Sequence, residues 1–302
     1  MTNFNIDFSS KFRIANILSL FFFTFSILFV LFKGLNYGID FKGGTLIELR
    51  TVDKIDISEI RTSLKSMELG DINVKKFGKE NDYLIKIEQK TENDNSLIPR
   101  IKDTLGSNLK TEINFRRIEN VGPKVSSELL KSGVIAISLS LAAMLFYIWI
   151  RFEWQFSIGA IIALFHDVII TIGVFSILSL EINLSIIAAV LTIVGYSMND
   201  TVVIYDRIRE NLNKYNRLSI SQIANLSVNE TLSRTLITSI TTLLALTSIY
   251  ILGGEILRGF SFAMILGVLI GTYSSIFVAA PVLKFFRVSY KTLEKKEEKI
   301  VP

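Results

Sequence analysis

Leu184–Asp206 reads LSIIAAVLTIVGYSMNDTVVIYD, an apolar run that contains a single internal carboxylate, Asp200. A run of about 20 apolar residues is enough for a helix to cross the hydrocarbon core of a bilayer. Asp near the centre of such a helix costs roughly 2.5–3.5 kcal/mol on insertion scales, and such residues usually face a bundle interior and mark ion or proton pathways. Asp200 is therefore the first candidate functional residue.

Five more segments of the chain have the same apolar character. Half of the 302 residues are hydrophobic, and the mean hydropathy of +0.44 is well above that of an ordinary soluble domain. The six predicted spans are Ile14–Phe32, Gly133–Ile150, Phe156–Leu178, Leu184–Tyr205, Leu236–Leu252 and Phe260–Phe286. The predicted fold class is a polytopic α-helical membrane protein. We expect the first span to be an uncleaved anchor, because its apolar run is too long for a secretory signal and no small-residue cleavage pattern follows it.

Basic residues in the short loops predict how the spans are oriented. Lys and Arg precede the first span, Arg151 follows the second, and four basic residues lie between Asp206 and Ser233. In contrast, the only charged residue in the loop 179–183 is Glu181. Cytoplasmic loops carry the excess of Lys and Arg. Both termini are therefore predicted to be cytoplasmic, despite the lone exception of Arg258.

The net charge of +5 follows from this distribution. No basic run is interleaved with exposed aromatic residues, so a nucleic-acid partner gains no support. The tail 287–302 is charge-rich and is predicted to be disordered and attracted to anionic lipid. The chain has no cysteine, which excludes disulfides and thiol chemistry.

A polar region, 33–131, separates the first two spans. Its alternation predicts strands at 44–51, 72–78, 82–89 and 111–120, and helices at 57–70 and 96–106. The order β-α-β-β-α-β is that of the ferredoxin-like split βαβ unit. The expected organisation is a first span within 1–32, an external domain over 33–131, the remaining spans over 132–286 with a cytoplasmic loop 206–233, and the tail.

Two further helix starts are predicted. Pro123 is suited to the first position of a helix, which is expected to run without a break into the second span as a rigid lever. Ser219 and Gln222 form a capping box, and the apolar residues that follow have helical spacing. This pattern predicts a helix on the cytoplasmic face, which either lies there or docks a partner.

Asp200 has a potential cationic partner in Arg234, which opens the fifth span on the same predicted side of the membrane. Burial favours a neutral carboxyl and a nearby guanidinium favours the carboxylate, so a small movement between the helices could change the protonation of Asp200. The alternative is a static salt bridge. Asn199, next to Asp200, belongs to the same predicted proton-coupling group.

Other polar residues in the spans give weaker signals. His166 and Asp167, in the third span, are either part of a proton relay or a polar contact between helices. Thr235, Thr238 and Thr242 either line a hydrated path or bond their own backbone. Gly267 and Gly271 form a small-xxx-small pattern that predicts close helix packing. Neither a catalytic constellation, a cofactor motif nor a metal-ligand set is predicted, because no nucleophile–base pair or phosphate loop occurs.

Five segments together resemble the SecF branch of the SecD/SecF family, within the RND superfamily. These segments are NYGIDFKGGT at 36–45, VGPKVSSEL at 121–129, ALFHDV at 163–168, GYSMNDTVVIYDRIREN at 195–211 and SRTLITSITTL at 233–243. The motif at 195–211 is the specific one, since it separates this branch from SecD and from drug exporters. Within these segments the predicted conformational turns are Gly43, Gly44, Gly122, Pro123 and Gly195.

This resemblance implies a six-span RND-type bundle with one external ferredoxin-like domain in the bacterial inner membrane. The implied activity is use of the proton-motive force to promote translocation of unfolded preproteins, with Asp200 as the proton-responsive carboxylate and Arg234 as its partner. The implied partners are SecD, YajC, the SecYEG channel and YidC, besides membrane lipids. A separate SecD-like chain is required, because this chain has only one six-span half.

Two other classes of function stay open at this point. One is a half-size RND-type exporter of small molecules or lipids, although such pumps usually have twelve spans in one chain. The other is an assembly factor without transport activity, in which the buried charges only hold helices together. An intramembrane enzyme is disfavoured by the missing nucleophile and metal ligands.

Overall fold

The computed structural model describes residues 5–67, 69–70, 72–78, 80–88, 97–109, 111–290 and 292. Among these residues, six helices are long and apolar enough to cross a membrane: Ser9–Lys33, Pro123–Arg151, Trp154–Ile177, Leu184–Lys214, Ile220–Leu252 and Gly254–Phe285. The prediction of a multi-pass α-helical membrane protein is confirmed. Most of the predicted tail lies outside the described residues.

The elements are numbered in chain order. The helices are α1 (Phe12–Lys33), α2 (Ile39–Lys42), α3 (Ile57–Lys65), α4 (Leu97–Asn108), α5 (Pro123–Arg151), α6 (Trp154–Ile177), α7 (Leu184–Lys214), α8 (Ile220–Leu252), α9 (Gly254–Ser274) and α10 (Ala280–Phe285). The strands are β1 (Asn36–Tyr37), β2 (Gly44–Thr51), β3 (Ile72–Lys76), β4 (Asp82–Ile87), β5 (Ile113–Val121) and β6 (Glu181–Ile182). A 3₁₀ turn, Ser9–Lys11, precedes α1, and a π-helical turn, Ser275–Ala279, joins α9 to α10.

The chain divides into two compact units. The membrane bundle comprises Met1–Leu35, Ile137–Leu180 and Ser185–Pro302, and the sheet domain comprises Asn36–Ala136 with Glu181–Leu184. The short segment Glu181–Leu184, between α6 and α7, therefore belongs to the sheet domain although it is distant in sequence.

The sheet domain has the predicted ferredoxin-like order. Its four long strands lie in the order β3-β4-β2-β5, and every neighbouring pair is antiparallel. This arrangement follows from two crossover helices, because each β-α-β unit leaves space for one strand between its own two. The fully buried core of this domain is aliphatic, with Ile47, Leu49 and Ile85 of the sheet packed with residues of α3 and α4.

The membrane bundle has its core along α6, α7 and α9, which are buried over half of their apolar lengths. Small residues bring neighbouring helices close together. A Cβ at Gly173 of α6 would lie 2.2 Å from the Cβ of Ser26 of α1, and one at Gly267 of α9 would lie 2.2 Å from Ile193 of α7. The predicted close packing at Gly267 is confirmed.

The predicted cytoplasmic loop 206–233 is mostly helical, which corrects the expectation of a separate surface helix. α7 continues past Asp206 to Lys214, and α8 begins at Ile220 and runs unbroken to Leu252. The capping box of Ser219 and Gln222 is confirmed. It starts the same helix that forms the fifth span, because Ile223, Val228 and Leu232 are buried in the bundle core and extend the helix's packing surface.

Pro123 occupies the first position of α5, which runs unbroken to Arg151, and both predictions are confirmed. The predicted helix at 57–70 ends earlier, at Lys65, after starting with the side chain of Asp56 accepting a hydrogen bond from the Ser58 N–H. Three short elements, β1, α2 and β6, were not predicted. Their two- and four-residue lengths leave no periodic pattern in the sequence.

Candidate functional site

Asp200 lies inside the bundle, on the buried face of α7. Its side chain is 3% exposed, and Ser197 and Thr201 on the same face are equally buried. These residues share a face because positions three and four apart are neighbours on a helix. Asn199 is exposed, so the structure does not place it with Asp200, and its predicted role in proton coupling stays a prediction.

Three helices meet at the Asp200 carboxylate. It interacts with the hydroxyl of Thr272 on α9 and electrostatically with Arg234 on α8. The Thr272 hydroxyl in turn lies 2.8 Å from the hydroxyl of Ser239 on α8. The second carboxylate oxygen, Oδ2, is buried without a hydrogen-bond partner among the described residues. Among the described residues, Oδ2 is thus available to accept a proton or a hydrogen-bond donor.

Arg234 acts on Asp200 without direct contact. In the described part of the chain its guanidinium forms no ion pair with the carboxylate, and its side chain is exposed. A static salt bridge, one of the two predicted alternatives, is therefore not formed in this conformation. A small shift of α8 against α7 would strengthen or weaken the attraction between Arg234 and Asp200, because the interaction energy of two charges varies inversely with their distance.

The threonines of α8 divide into two groups. Thr238 and Thr241 donate to backbone carbonyls one turn earlier on their own helix. Thr235 is 2% exposed, and its hydroxyl is buried without a partner among the described residues. Thr242 is partly buried. Thr235 thus offers a fully buried hydroxyl without a hydrogen-bond partner among the described residues.

Asp167 of α6 joins three helices. Its Oδ2 accepts hydrogen bonds from Ser197 of α7, at 2.5 Å, and from Ser274 of α9, at 2.7 Å. Its Oδ1 lies 2.9 Å from Nδ1 of His166. The side chain is completely buried. Because its described bonds connect neighbouring helices, Asp167 has the geometry of an interhelical anchor.

Among the described residues, only one of the two ring nitrogens of His166 has a hydrogen-bond partner, namely Nδ1, which contacts Asp167. The His166 ring is roughly parallel to those of Phe23 and Tyr273, each with a centroid distance of 6.4 Å. Nε2 is buried without a hydrogen-bond partner among the described residues. Within that part of the chain, no three His, Asp or Glu side chains are grouped closely enough to hold a metal ion.

Serines connect the surroundings of the two carboxylates. The Thr201 hydroxyl, next to Asp200, lies 2.8 Å from that of Ser275, in the π-helical turn. Ser275 also donates to the Gly271 carbonyl, at 2.8 Å. A Cβ at Gly271 would lie 2.9 Å from the Cβ of Ser197, the residue that donates to Asp167. π-helical turns occur frequently at functional sites.

Sequence reasoning missed Thr272 beside Asp200, and Ser197 and Ser274, which donate to Asp167. It also missed Ser239 and Ser275, which bond the hydroxyls of Thr272 and Thr201. Two signals were available. Ser197 precedes Asp200 by one helical turn, and the Gly267–Gly271 pattern places the residues that follow it against α7. Serine is too common in membrane helices for either signal to identify a partner, because it also bonds its own backbone.

The predicted conformational turns have different outcomes. Gly43 and Gly44 have φ of +79° and +134°, values that favour glycine. Gly122 directly precedes α5, which begins at Pro123. Gly195 lies within the unbroken α7, and a Cβ there would meet only Met144, at 4.0 Å. The structure therefore has no turn at Gly195, because the helix is continuous through it.

Two family models match the chain. The model described as protein export membrane protein SecD/SecF, C-terminal, matches residues 101–289. The model described as the SecD/SecF GG motif matches residues 28–53. The first match includes α6, α7, α8 and α9. It therefore contains Asp167 and Asp200 and the residues described around them on these four helices. This chain belongs to the SecD/SecF family.

Curated relatives of this SecD/SecF family member are named protein translocase subunit SecF. The relative from Rickettsia bellii is 49% identical over 253 residues, which cover 83% of each chain. The relative from Cereibacter sphaeroides is 42% identical over 292 residues, covering 94% of this chain and 90% of the relative. The resemblance to SecF is thereby confirmed, and the chain is a family member of the translocase-subunit type.

Two solved structures of SecDF share the fold. The crystal structure of SecDF from Thermus thermophilus, described as a translocon-associated membrane protein, has a TM-score of 0.84 at 34% identity and 94% coverage of this chain. SecDF in its super-membrane-facing form has a TM-score of 0.70 at 33% identity. This chain spans 39% and 40% of those two chains, respectively.

Proposed function

We propose that this chain is one half of a proton-driven protein translocase. Its partner is a SecD-type chain that supplies the other six spans, and the pair works with the SecYEG channel, YajC and YidC. The family membership and the fraction of SecDF that the chain spans support this proposal. The substrate is an unfolded preprotein that crosses the bacterial inner membrane.

The observation that carries the proposal is the Asp200 carboxylate. It is buried in a membrane-spanning helix, with one oxygen unpartnered and Arg234 acting on it from a neighbouring helix. An ionised side chain in such a place is costly unless it is paired. Taking up a proton removes that cost and also removes the attraction to Arg234. Protonation therefore changes the forces between α7 and α8.

The energy available is sufficient to bias a conformational change. One elementary charge crossing 100 mV is worth about 2.3 kcal/mol, which shifts an equilibrium between two states about fifty-fold. We propose that protonation of Asp200 re-packs α7 against α8, and that the motion reaches the sheet domain through the continuous helix α5. The sheet domain lies on the periplasmic side and both termini are cytoplasmic, in agreement with the basic residues of the short loops.

Asp167 and His166 have a positioning role in this proposal. Both oxygens of Asp167 take part in described bonds, and its partners lie on three helices. A proton carrier needs an oxygen that gains and loses partners, which Asp200 has and Asp167 does not. We therefore propose that Asp167 holds α6, α7 and α9 in register, so that Asp200 faces Arg234.

The decisive experiment is export by Asp200→Asn in membrane vesicles that contain the SecD-type partner and SecYEG. We expect the variant to assemble with the partner but to lose the part of export that requires a proton gradient. Glu255→Gln is the matched control, because Glu255 is also a carboxylate in a spanning helix but has a local partner, Arg258. Full proton-dependent export by Asp200→Asn would refute the proposal.

A further inference from the structure

Two segments that are distant in sequence form a single structure in the sheet domain. β1 pairs with β6 in parallel, with Asn36 opposite Glu181 and Tyr37 opposite Ile182. The N–H of Gly38 donates to the Ile182 carbonyl, at 2.9 Å. We call residues 36–42 together with 181–184 the clasp. It joins the segment after the first span to the segment that leads into α7.

Asp40 caps α7 from the other side of the clasp. Its Oδ2 accepts a hydrogen bond from the backbone N–H of Leu184, the first residue of α7, at 2.9 Å. The first N–H groups of a helix have no partner within the helix, and an acidic side chain there is favourable. Because Asp40 comes from another part of the chain, this cap is a tertiary contact that fixes where α7 starts.

An ion pair ties the clasp to the sheet. Lys86 of β4 pairs with Glu181 of β6, and both side chains are largely shielded from solvent. Gly38 leaves the room that this carboxylate needs, because a Cβ at position 38 would lie 2.6 Å from Glu181 Oε1. The absence of a side chain at Gly38 is therefore part of the clasp.

The clasp is also continuous with the central strand of the sheet. α2 ends at Gly43, and β2 begins at Gly44, where a Cβ would lie 2.5 Å from the carbonyl oxygen of Ile87 on β4. Both glycines adopt positive φ. Three kinds of contact thus hold the clasp, namely strand pairing, a helix cap and an ion pair, and the close backbone approach at Gly44 fixes the strand that follows it.

We propose that the clasp is a further mechanical connection, besides the two chain ends of the sheet domain, and that it links this domain to the helix that carries Asp200, with Asp40 and Glu181 as its positioning residues. This inference rests on the proposed function, in which protonation of Asp200 moves α7. The sheet domain is continuous with the bundle at both of its chain ends, after α1 and through α5, and a domain held only at these two points could rotate about the line between them. A further attachment at the start of α7 removes this freedom and gives the motion a direction.

The first test opens the clasp. In Asp40→Ala/Glu181→Ala we expect proton-dependent export to fall to the level measured without a proton gradient. The control is Glu59→Ala/Asp103→Ala, which removes two exposed carboxylates of the same domain. Asp40→Asn should retain export, because its side-chain oxygen has the same reach and can still accept the hydrogen bond from the Leu184 N–H. Undiminished proton-dependent export by Asp40→Ala/Glu181→Ala would overturn the inference.

The second test closes the clasp covalently. The chain has no cysteine, so Tyr37→Cys/Ile182→Cys introduces its only two thiols. Neighbouring strands lie about 4.8 Å apart, which is within the Cα–Cα range of a disulfide. We expect the oxidised form to export normally and to restore export in the Asp40→Ala/Glu181→Ala background, which also excludes misfolding as the cause of the loss. If oxidation instead blocks export and reduction restores it, the clasp has to open and the inference is wrong.

A third measurement separates this inference from the proposed function. A hydrophobic carbodiimide modifies protonated carboxyl groups in membranes, so the pH dependence of its reaction at Asp200 reports the proton response directly. We expect this response to persist when the clasp is opened, while export is lost. Loss of the response as well would show that the clasp acts on the site itself and not on transmission, and would refute the inference. A failure of the proposed function would be seen in a different experiment, in which Asp200→Asn would export normally in the presence of a proton gradient.

Discussion

The sheet domain and the membrane bundle both have apolar cores, but the bundle also buries polar side chains that connect its helices. The interior of the sheet domain is aliphatic, with Ile47, Leu49 and Ile85 fully buried. In the bundle, many large apolar side chains lie on the outside, for example Phe285, which is 83% exposed, whereas Asp167 and Ser274 are fully buried. Lipid is as apolar as leucine, so hydrophobic burial provides no driving force between helices there. Polar bonds and close backbone contacts take its place.

This difference identifies where the chain can respond to a proton. In the sheet domain, carboxylates such as Asp56 face water and bond locally, where the Ser58 N–H lowers the pKa of Asp56. In the bundle, the hydrogen bonds that Ser197 and Ser274 donate between helices end on the buried carboxylate of Asp167. A change of charge at such a group alters helix packing, because those bonds are part of what holds the helices together. The comparison leads to four predictions, in order of decreasing effect.

The largest loss of stability is expected for Ile85→Ala in the sheet domain. Removing a fully buried aliphatic side chain leaves a cavity and lowers the free energy of unfolding by about 2–5 kcal/mol. Amide hydrogen exchange of the full-length protein should become faster in β2 and β4. Val52→Ala is the control, because Val52 is 65% exposed. Equal exchange in the two variants would contradict an aliphatic core as the main source of stability.

Gly271→Ala is expected to destabilise the bundle. The added methyl group would lie 2.9 Å from the Ser197 side chain, and such overpacking costs about 1–3 kcal/mol. Thermal unfolding of the full chain, followed by helical circular dichroism, should shift to lower temperature. Gly195→Ala on α7 has free space and should not shift it. Unchanged unfolding in Gly271→Ala would show that α7 and α9 are not tightly packed.

Asp167→Leu removes the acceptor shared by Ser197 and Ser274. Side-chain hydrogen bonds in membranes are worth about 0.6 kcal/mol each, so a loss of about 1–2 kcal/mol is expected. Asp167→Asn keeps an acceptor oxygen and should retain both stability and proton-dependent export. If Asp167→Asn is stable but loses proton-dependent export, Asp167 carries protons and the positioning role is wrong.

The smallest effect concerns Lys86 in the sheet domain. Burial, with Lys75 and Lys42 nearby and Asp40 acting in the opposite direction, lowers the pKa of Lys86 to about 8. The amine therefore loses its proton as the pH rises through about 8, well below the ordinary lysine value. Competitive acetylation of the intact protein should show this midpoint. Glu181→Gln removes a carboxylate that favours the charged form, so it should increase labelling at pH 7. Unchanged labelling would contradict the ion pair.

Much of this architecture could be predicted from local pattern. The six spans follow from the lengths of the apolar runs, and the order of strands and helices follows from periodicity and turn residues. The lengths of α7 and α8 were underestimated. Both helices continue through polar residues outside the apolar runs, and the hydropathy of the sequence does not show where such a helix ends. The clasp was not predicted, since its strands are two residues long and pair across more than a hundred residues of sequence.

The sequence by itself determined that Asp200 lies inside a membrane span, because the insertion of a helix depends on the summed hydropathy of its own residues. It also determined the β-α-β-β-α-β order, because strand and helix periods are local. Only the tertiary structure decided which groups the carboxylates contact: Thr272 for Asp200, Ser197 and Ser274 for Asp167, and Leu184 for Asp40. These contacts depend on how each helix is rotated about its axis and packed against its neighbours. The spacing of residues along one helix does not determine which neighbouring helix each face will contact.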